Sequence, residues 1–329
     1  IEPVLNANGE PLVCSVKVAQ STVSFRAWRA NVGRCPVYLL DANLPENEPH
    51  QRDLTLRVYG GDTTTRVMQE ILLGVGGVRL LRELGLQPST FHMNEGHAAF
   101  LTLELAREKM AEGKPFAQAW AETKQQCLFT THTPVEAGHD RFSSDLMGFA
   151  ANKFCANLKL SHHELMGLGR VNPADDHEPF CMTVLALKGS RAANGVSELH
   201  GAVSREMWHC LYPAGKVDDV PIGHVTNGIH VAGWMKGTVR RFWRKKLGAA
   251  HEFPDTTTSE TTRFWKSKPT IDWEREINMP EFWSRMADPT FISDEELWSL
   301  RYRLRRELIE FTRRRLLLQG QRLTQGDFI

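Results

Sequence analysis

Residues 127 to 142 read Cys127-Leu128-Phe129-Thr130-Thr131-His132-Thr133-Pro134-Val135-Glu136-Ala137-Gly138-His139-Asp140-Arg141-Phe142. The apolar run Cys127 to Phe129 has the length of a buried strand. It stops at a cluster of hydroxyls around one histidine, and Pro134 then breaks the chain. In open α/β sheets, ligands sit beyond the carboxyl ends of strands. His132, at the centre of the cluster, is therefore the first candidate for a binding residue.

Upstream, Ser89 to Met93 reads as another short strand and ends on Asn94-Glu95-Gly96-His97. Phe100, Leu103 and Met110, with Leu101 and Leu105 beside them, mark a helix stopped by Gly113-Lys114-Pro115, and Asn94 is a candidate cap for it. A second helix over Phe116 to Gln125 leads back to Cys127. Strand, helix, strand implies a parallel pair, with Asn94 and His132 at one edge of the sheet. Downstream, the apolar run Met182 to Leu187 ends at Gly189-Ser190-Arg191, and Asn194 is placed to cap a helix carrying Val196, Leu199, Val203 and Met207 on one face. Val220 to Val225 ends at Thr226-Asn227-Gly228, and Pro36 to Leu40 ends at Asp41-Ala42-Asn43. Strand-like runs thus end on polar residues at Asp41, Asn94, Thr131, Arg191 and Asn227, which points to a common cleft in an α/β fold with a mostly parallel, Rossmann-like sheet.

Residues 1 to 40 alternate apolar and polar, with turns at Asn8-Gly9 and Asn31-Val32-Gly33, and read as hairpins. Arg52 to Tyr59 leads to Gly60-Gly61-Asp62, where Asp62 caps a helix whose Val67, Ile71, Val75, Val78 and Leu81 share a face. Gly74-Val75-Gly76-Gly77 inside it fails as a dinucleotide fingerprint, because no strand precedes it and Arg79 stands at the third glycine. Close helix packing is the better reason for those glycines. His162-His163-Glu164 and Asp175-Asp176-His177 lie in a polar stretch, 143 to 180, and lack the spacing that puts two imidazoles on one helical face. They read as solvated surface, and no metal is expected.

From Trp234 to Asp288 the composition shifts. Trp234, Trp243, Trp265, Trp273 and Trp283 stand among Pro254, Pro269, Pro280 and Pro289. This reads as an arm packed on a domain surface, with an aromatic carbohydrate platform as the alternative. Ser293-Asp294-Glu295-Glu296 is a capping box, and Leu297, Leu300, Leu304, Leu308 and Phe311 form a stripe opposite Arg303, Arg306, Arg313 and Arg314. The 329 residues are 41% hydrophobic and 24% charged, an ordinary globular balance, and the formal net charge of +1 gives no field for nucleic acid or a membrane surface. Six cysteines without a C-x-x-C pair fit reduced thiols in a cytoplasm. The chain starts at Ile1 and ends at Gly326-Asp327-Phe328-Ile329, and it reads as part of a longer protein.

His92-Met93-Asn94-Glu95-Gly96-His97, the stretch Thr131 to Phe142, Asn194-Gly195-Val196-Ser197-Glu198-Leu199-His200 and Val225-Thr226-Asn227-Gly228-Ile229-His230 together resemble the amino-terminal half of an α-glucan (glycogen or maltodextrin) phosphorylase. The likeness covers roughly residues 35 to 320 and is closer to the bacterial and archaeal form. The resemblance implies a GT-B glycosyltransferase fold whose second domain is absent from this chain. Residues 1–292 would be a partial glucan-binding domain, with the Trp/Pro-rich arm at 234–292, and 293–329 a connector helix. It implies retaining phosphorolysis of α-1,4-glucan with inorganic phosphate to glucose 1-phosphate, with pyridoxal 5′-phosphate as cofactor. No lysine here, Lys245 and Lys246 included, matches the family's Schiff-base context, so neither the cofactor site nor the catalytic groups are expected in this chain, and the chain alone is expected to be inactive.

Residue by residue, the resemblance carries a glucan-facing role to His132, whose alternative is a histidine fixing its own loop. Arg191 stands where animal and plant members have a histidine against the reacting glucose. Asn94 and His97 serve the cleft or cap and pack their helix. Asn43 falls in the region of a mobile gate loop. A homo-oligomer is compatible with the resemblance. The rivals are a sugar-nucleotide-dependent glucosyltransferase of the same fold, resembling glycogen synthase, a non-catalytic glucan-binding module, and a metal hydrolase.

Overall fold

In a computed structural model, residues 1–57, 61–247 and 273–324 are described. Tyr59, Gly60, Pro254, Trp265, Pro269 and the last residues from Gly326 lie outside them. The chain packs as two units, Ile1–Asn227 and Gly228–Ile329.

In the first unit, β1 (Glu2–Pro3), β2 (Val13–Val18), β3 (Ser21–Val32) and β4 (Cys35–Asp41) form an antiparallel sheet, as the alternating pattern and the turns at Gly9 and Gly33 predict. Asp41 accepts from Arg26 Nε and Trp28 Nε1 at 2.9 Å each, which ties the end of β4 to β3. A short helix, α1 (Pro49–Arg52), follows. Then α2 (Thr63–Ile71), capped by Asp62, passes through a π-helical turn at Leu72–Gly76 into α3 (Gly77–Glu83). Val67, Ile71, Val75 and Val78 are all buried there, so the helical period locates the core face.

The second sheet is parallel and orders β10 (Ile222–His224), β9 (Ala192–Gly195), β6 (Cys127–Thr130) and β5 (Phe91–Asn94) side by side. The crossover from β5 to β6 uses α4 (Leu101–Ala111) and α5 (Phe116–Gln126), as read from the sequence. Side chains alternate across a strand. Phe91, Met93, Cys127 and Phe129 point into the core, while His92 and Asn94 are exposed on the other face. Phe100, fully buried ahead of α4, stacks on Phe154 and Phe180 at 5.5 and 6.1 Å between ring centroids.

Three expectations change. Met182 to Leu187 belongs to a helix, α9 (Met182–Lys188), buried on every side, so no alternation could have distinguished it from a strand. The strand comes after it, at β9, so Arg191 precedes a strand and does not end one. Asn194 lies in β9, and Ser197 caps α10 (Glu198–Trp208) by accepting from the His200 N–H. Asn94 closes β5 and caps nothing; a 3₁₀ turn at Gly96–Ala98 intervenes before α4. Residues 143 to 180 form α6 (Ser144–Ala150), α7 (Asn152–Leu158) and α8 (His162–Leu168), which bury Met147, Leu158, Leu165 and Met166, and β7 (Arg141–Phe142) pairs β8 (Phe180–Cys181). His162-His163-Glu164 and Asp175-Asp176-His177 are exposed, as their reading as solvated surface expects. His163 there meets Asp176 at 3.0 Å, and both are well exposed.

The second unit contains α11 (Val231–Trp234), α12 (Gly237–Lys246), α13 (Trp273–Glu276), α14 (Pro280–Ser284) and α15 (Asp294–Thr324). Trp243 is buried against Phe282 and Trp283, edge to face at 5.1 and 6.2 Å, so these aromatics form a core, while Trp234 is 85% exposed. Ser293 and Glu296 form the expected capping box of α15. Its apolar stripe is half-buried at Leu297, Leu300 and Leu304 and exposed from Leu308 onward.

The glycines of the π turn have a packing cause. A Cβ on Gly74 would stand 2.8 Å from the Leu101 backbone nitrogen and 3.0 Å from the Ala98 carbonyl oxygen, whereas one on Gly77 would meet nothing within 4 Å. Gly74→Ala should therefore lower stability by about 1–3 kcal/mol through overpacking. Gly77→Ala should raise it by up to about 1 kcal/mol through helix propensity. Thermal unfolding of the two variants beside the parent chain checks the pair; equal shifts would contradict the close approach.

Candidate functional site

Parallel pairing brings the carboxyl ends of β5, β6, β9 and β10 to one edge. Past that edge, His132 Nε2 lies 2.6 Å from Asn94 Oδ1. The amide oxygen can only accept, so Nε2 carries the proton and Nδ1 is left as an acceptor. Thr130 Oγ1 donates to Asn194 Oδ1 at 3.0 Å and stands 2.7 Å from His92 Nε2, from which it accepts. The Thr131 N–H donates to the Asn194 carbonyl at 3.0 Å. The edge is thus lined by amide, imidazole and hydroxyl groups that between them donate and accept.

Glu95, which sequence reasoning passed over, fixes this arrangement. Its carboxylate Oε1 accepts from the backbone N–H of His132, from Thr133 Oγ1 at 3.1 Å and, at the longest reach, from Thr131 Oγ1 at 3.4 Å. Its own backbone sits at φ 67°, ψ 174°. Only glycine adopts that region freely, and for other residues it costs about 1–3 kcal/mol. No signal in Asn94-Glu95-Gly96 would have assigned the left-handed residue to Glu95, since asparagine and glycine on either side adopt it more readily.

His97 is placed elsewhere. Its Nδ1 lies 2.6 Å from Arg66 Nη2, 3.1 Å from Asp140 Oδ2 and 3.3 Å from Glu70 Oε1. Arg66 also holds Asp140 at 3.0 Å and Glu70 at 3.3 Å. Burial would raise Asp140, but hydrogen bonds from His97 and Arg66 outweigh it and hold the carboxyl below its usual range. Asp140 and Glu70 pull the imidazole up to about 9, against burial. The imidazole therefore donates from Nδ1 to these carboxylates, beside the guanidinium that holds the same two groups. Glu70 is shifted as well. It is 1% exposed, its Oε2 has no hydrogen-bond partner, and burial pushes it up to about 8, with Asp140 adding to the shift and His97 opposing it. Donor atoms of Glu70, His97 and Asp140 lie within 4.8 Å of one another, a spacing that suits a metal ion. The Arg66 guanidinium already supplies positive charge there.

Two further candidates are not brought to the edge. The Arg191 N–H donates to the Cys127 carbonyl at 3.0 Å, which puts Arg191 at the amino edge of the parallel sheet. Asn43 follows β4 of the antiparallel sheet, exposed, with its N–H on Asp41 Oδ1 at 2.9 Å.

The Glu70 shift fixes the sign of a pH effect. Its folded value of about 8 exceeds the ordinary 4.5, so the folded chain keeps a proton that the unfolded chain releases. That contribution is complete below about 4.5 and lost as pH rises through about 8. The unfolding free energy should fall between those values with a slope of up to about 1.4 kcal/mol per pH unit, and the melting temperature with it. Glu70→Gln, which mimics the protonated form, should flatten the slope; parallel melting curves for the two proteins from acid to mildly alkaline pH would contradict this reading.

No family model matches the chain. It is 33% identical over 325 residues to a maltodextrin phosphorylase of Thermococcus litoralis, covering 98% of this chain and 35% of that protein. A glycogen phosphorylase of Mycobacterium tuberculosis is 37% identical over 326 residues, covering 94% of this chain and 34% of the relative. A glycogen phosphorylase of Aquifex aeolicus is 31% identical over 314 residues, covering 94% and 41%. This chain therefore spans about a third to two fifths of the length of these curated relatives. With such matches running along nearly all of its residues, the chain belongs to the family of glycogen and maltodextrin phosphorylases.

Proposed function

We propose that the carboxyl edge around His132 binds α-1,4-glucan, and that the protein to which the chain belongs transfers a terminal glucosyl unit to inorganic phosphate, with retention, giving glucose 1-phosphate. The supporting observation is that two hydrogen-bonded pairs, Asn94 with His132 and Thr130 with Asn194, stand together at the carboxyl ends of neighbouring parallel strands. Sugar hydroxyls donate and accept at once, and amide, imidazole and hydroxyl groups offer both kinds of partner. The names of the relatives favour phosphorolysis over sugar-nucleotide transfer. The reading includes a two-domain GT-B architecture with the long helix α15 as connector, and a cytoplasmic setting that suits the unpaired cysteines.

Pyridoxal 5′-phosphate belongs to this reading, and the described residues do not fit it. Burial lowers the ammonium groups of Lys109 and Lys188 from their ordinary value, which is one requirement for a Schiff-base lysine. Lys109 Nζ, however, donates to Gln126 Oε1 at 2.7 Å just before β6, and Lys188 Nζ to the carbonyls of Gly167 and Arg170 at 2.9 and 2.5 Å just before β9. Both stand toward the amino edge, away from His132. The part proposed for this chain is binding and orientation: His132 Nδ1 accepts from a sugar hydroxyl while Asn94 fixes the ring, and Arg66, committed to Asp140, serves the fold.

The full-length protein, incubated with maltoheptaose and phosphate, should release glucose 1-phosphate; incorporation from ADP-glucose with no phosphorolysis would overturn the proposal. His132→Ala should lower kcat/KM for glucan by about ten- to hundredfold, the effect of losing hydrogen bonds at a polar contact. Arg191→Ala, at the opposite edge, should change it by less than about threefold if the placement of Arg191 is right.

A further inference from the structure

We infer that Glu95 is a positioning residue that sets the place of the His132 imidazole, an inference that rests on the glucan-binding reading of that edge. Backbone N–H groups alternate in direction along a strand. The Thr131 N–H reaches β9 through the Asn194 carbonyl at 3.0 Å, so the next N–H, that of His132, turns toward β5. There the ladder has ended: the last backbone bond on that side runs from the Glu95 N–H to the Thr130 carbonyl at 2.8 Å. The Glu95 side chain supplies the missing acceptor, and its Oε1 takes the His132 N–H together with the hydroxyl of Thr133 at 3.1 Å.

The side chain can reach that position because the Glu95 backbone takes φ 67°. A residue with ordinary φ would send its side chain elsewhere, and glycine, which tolerates the angle, has no carboxylate. Glu95 thus keeps a conformation that disfavours it and carries the acceptor the loop needs. Strain of this kind is retained where surrounding contacts over-determine it. Here they are the Thr130 carbonyl on the backbone side and the hydrogen bonds of His132 and Thr133 on the carboxylate side. The imidazole then meets Asn94 Oδ1 at 2.6 Å, one residue from the clamp.

The test uses the full-length protein, with maltoheptaose binding by calorimetry, phosphorolysis kinetics and thermal unfolding measured on the same samples. Glu95→Gly removes both strain and clamp. It should raise KM and Kd for maltoheptaose by about tenfold, as for one or two lost hydrogen bonds, with the melting temperature held or raised. Glu95→Gln keeps an acceptor oxygen and should recover most of that affinity. In a His132→Ala background, Glu95→Gly should add little, because Glu95 acts through the imidazole. An active parent protein whose Glu95→Gly variant binds as tightly as the parent overturns the inference, as does a variant that loses stability without losing affinity, or one whose effect is additive with His132→Ala. Absence of phosphorolysis in the parent itself would instead sink the phosphorylase reading, and the binding measurements would still decide the role of Glu95.

Discussion

Parallel pairing of β5 with β6 is the constraint on which the site depends. Phe91 faces Cys127 and Asn94 faces Thr130 in one unbroken register, set by a crossover through α4 and α5. Because side chains alternate with period two, a slip of one residue would exchange Asn94 with Met93 and point a buried methionine at the edge. The core resists such a slip, since Met93, Phe129 and Phe100 are all fully buried. The polar groups add a second lock. Thr130 accepts from His92 and donates to Asn194, so one hydroxyl joins three strands and fixes the His92 tautomer.

Two sets of polar groups stand near this edge. Asn94 pairs with His132 and Thr130 with Asn194, with the Glu95 carboxylate on the His132 N–H, while Arg66, Glu70, His97 and Asp140 form their own cluster. Burial pushes Glu70 up to about 8, so at neutral pH its carboxyl keeps its proton and adds no further buried negative charge to that cluster. The chain solves the same problem differently at Glu104, 1% exposed. Burial alone would raise it, but Arg79 and Arg107 at 2.9 Å each hold it ionised and below its ordinary range. Two guanidiniums keep a buried carboxylate charged. One, shared with Asp140, does not.

The strands that frame the edge were legible because their sequences alternate or stop at turn residues: Phe91-His92-Met93-Asn94 is in-out-in-out, and Thr130 to Pro134 marks an end. Parallel strands covered on both faces read as continuous apolar runs. Cys127 to Phe129 is such a strand, but another run of that kind, Met182 to Leu187, is a helix, and it carried the misplacement of Arg191 with it. Burial on all sides removes the periodicity by which a helix and a strand differ. The helices within 143 to 180 went unread for a different reason: α6, α7 and α8 are each about two turns long, too short for an apolar stripe to stand out, yet each buries one or two large side chains. Asn94 was rightly placed at the edge but wrongly given a helix to cap, because the 3₁₀ turn that follows it has no period of its own.

Glu95 was invisible for a deeper reason. Its importance lies in a backbone angle and in the direction of one N–H, and neither is a property of residue type. The motif Asn94-Glu95-Gly96-His97 offers two residues better suited to φ 67°, yet the conformation falls on the one between them. Moving it to Gly96 would relieve the strain, about 1–3 kcal/mol, but leave the His132 N–H facing the end of a ladder with no protein acceptor. His132 is exposed, so water could take that N–H at little cost, and the penalty of a buried unpaired donor does not apply. Stability alone therefore does not select the strained arrangement, and what distinguishes it from the relaxed alternative is the position of the imidazole.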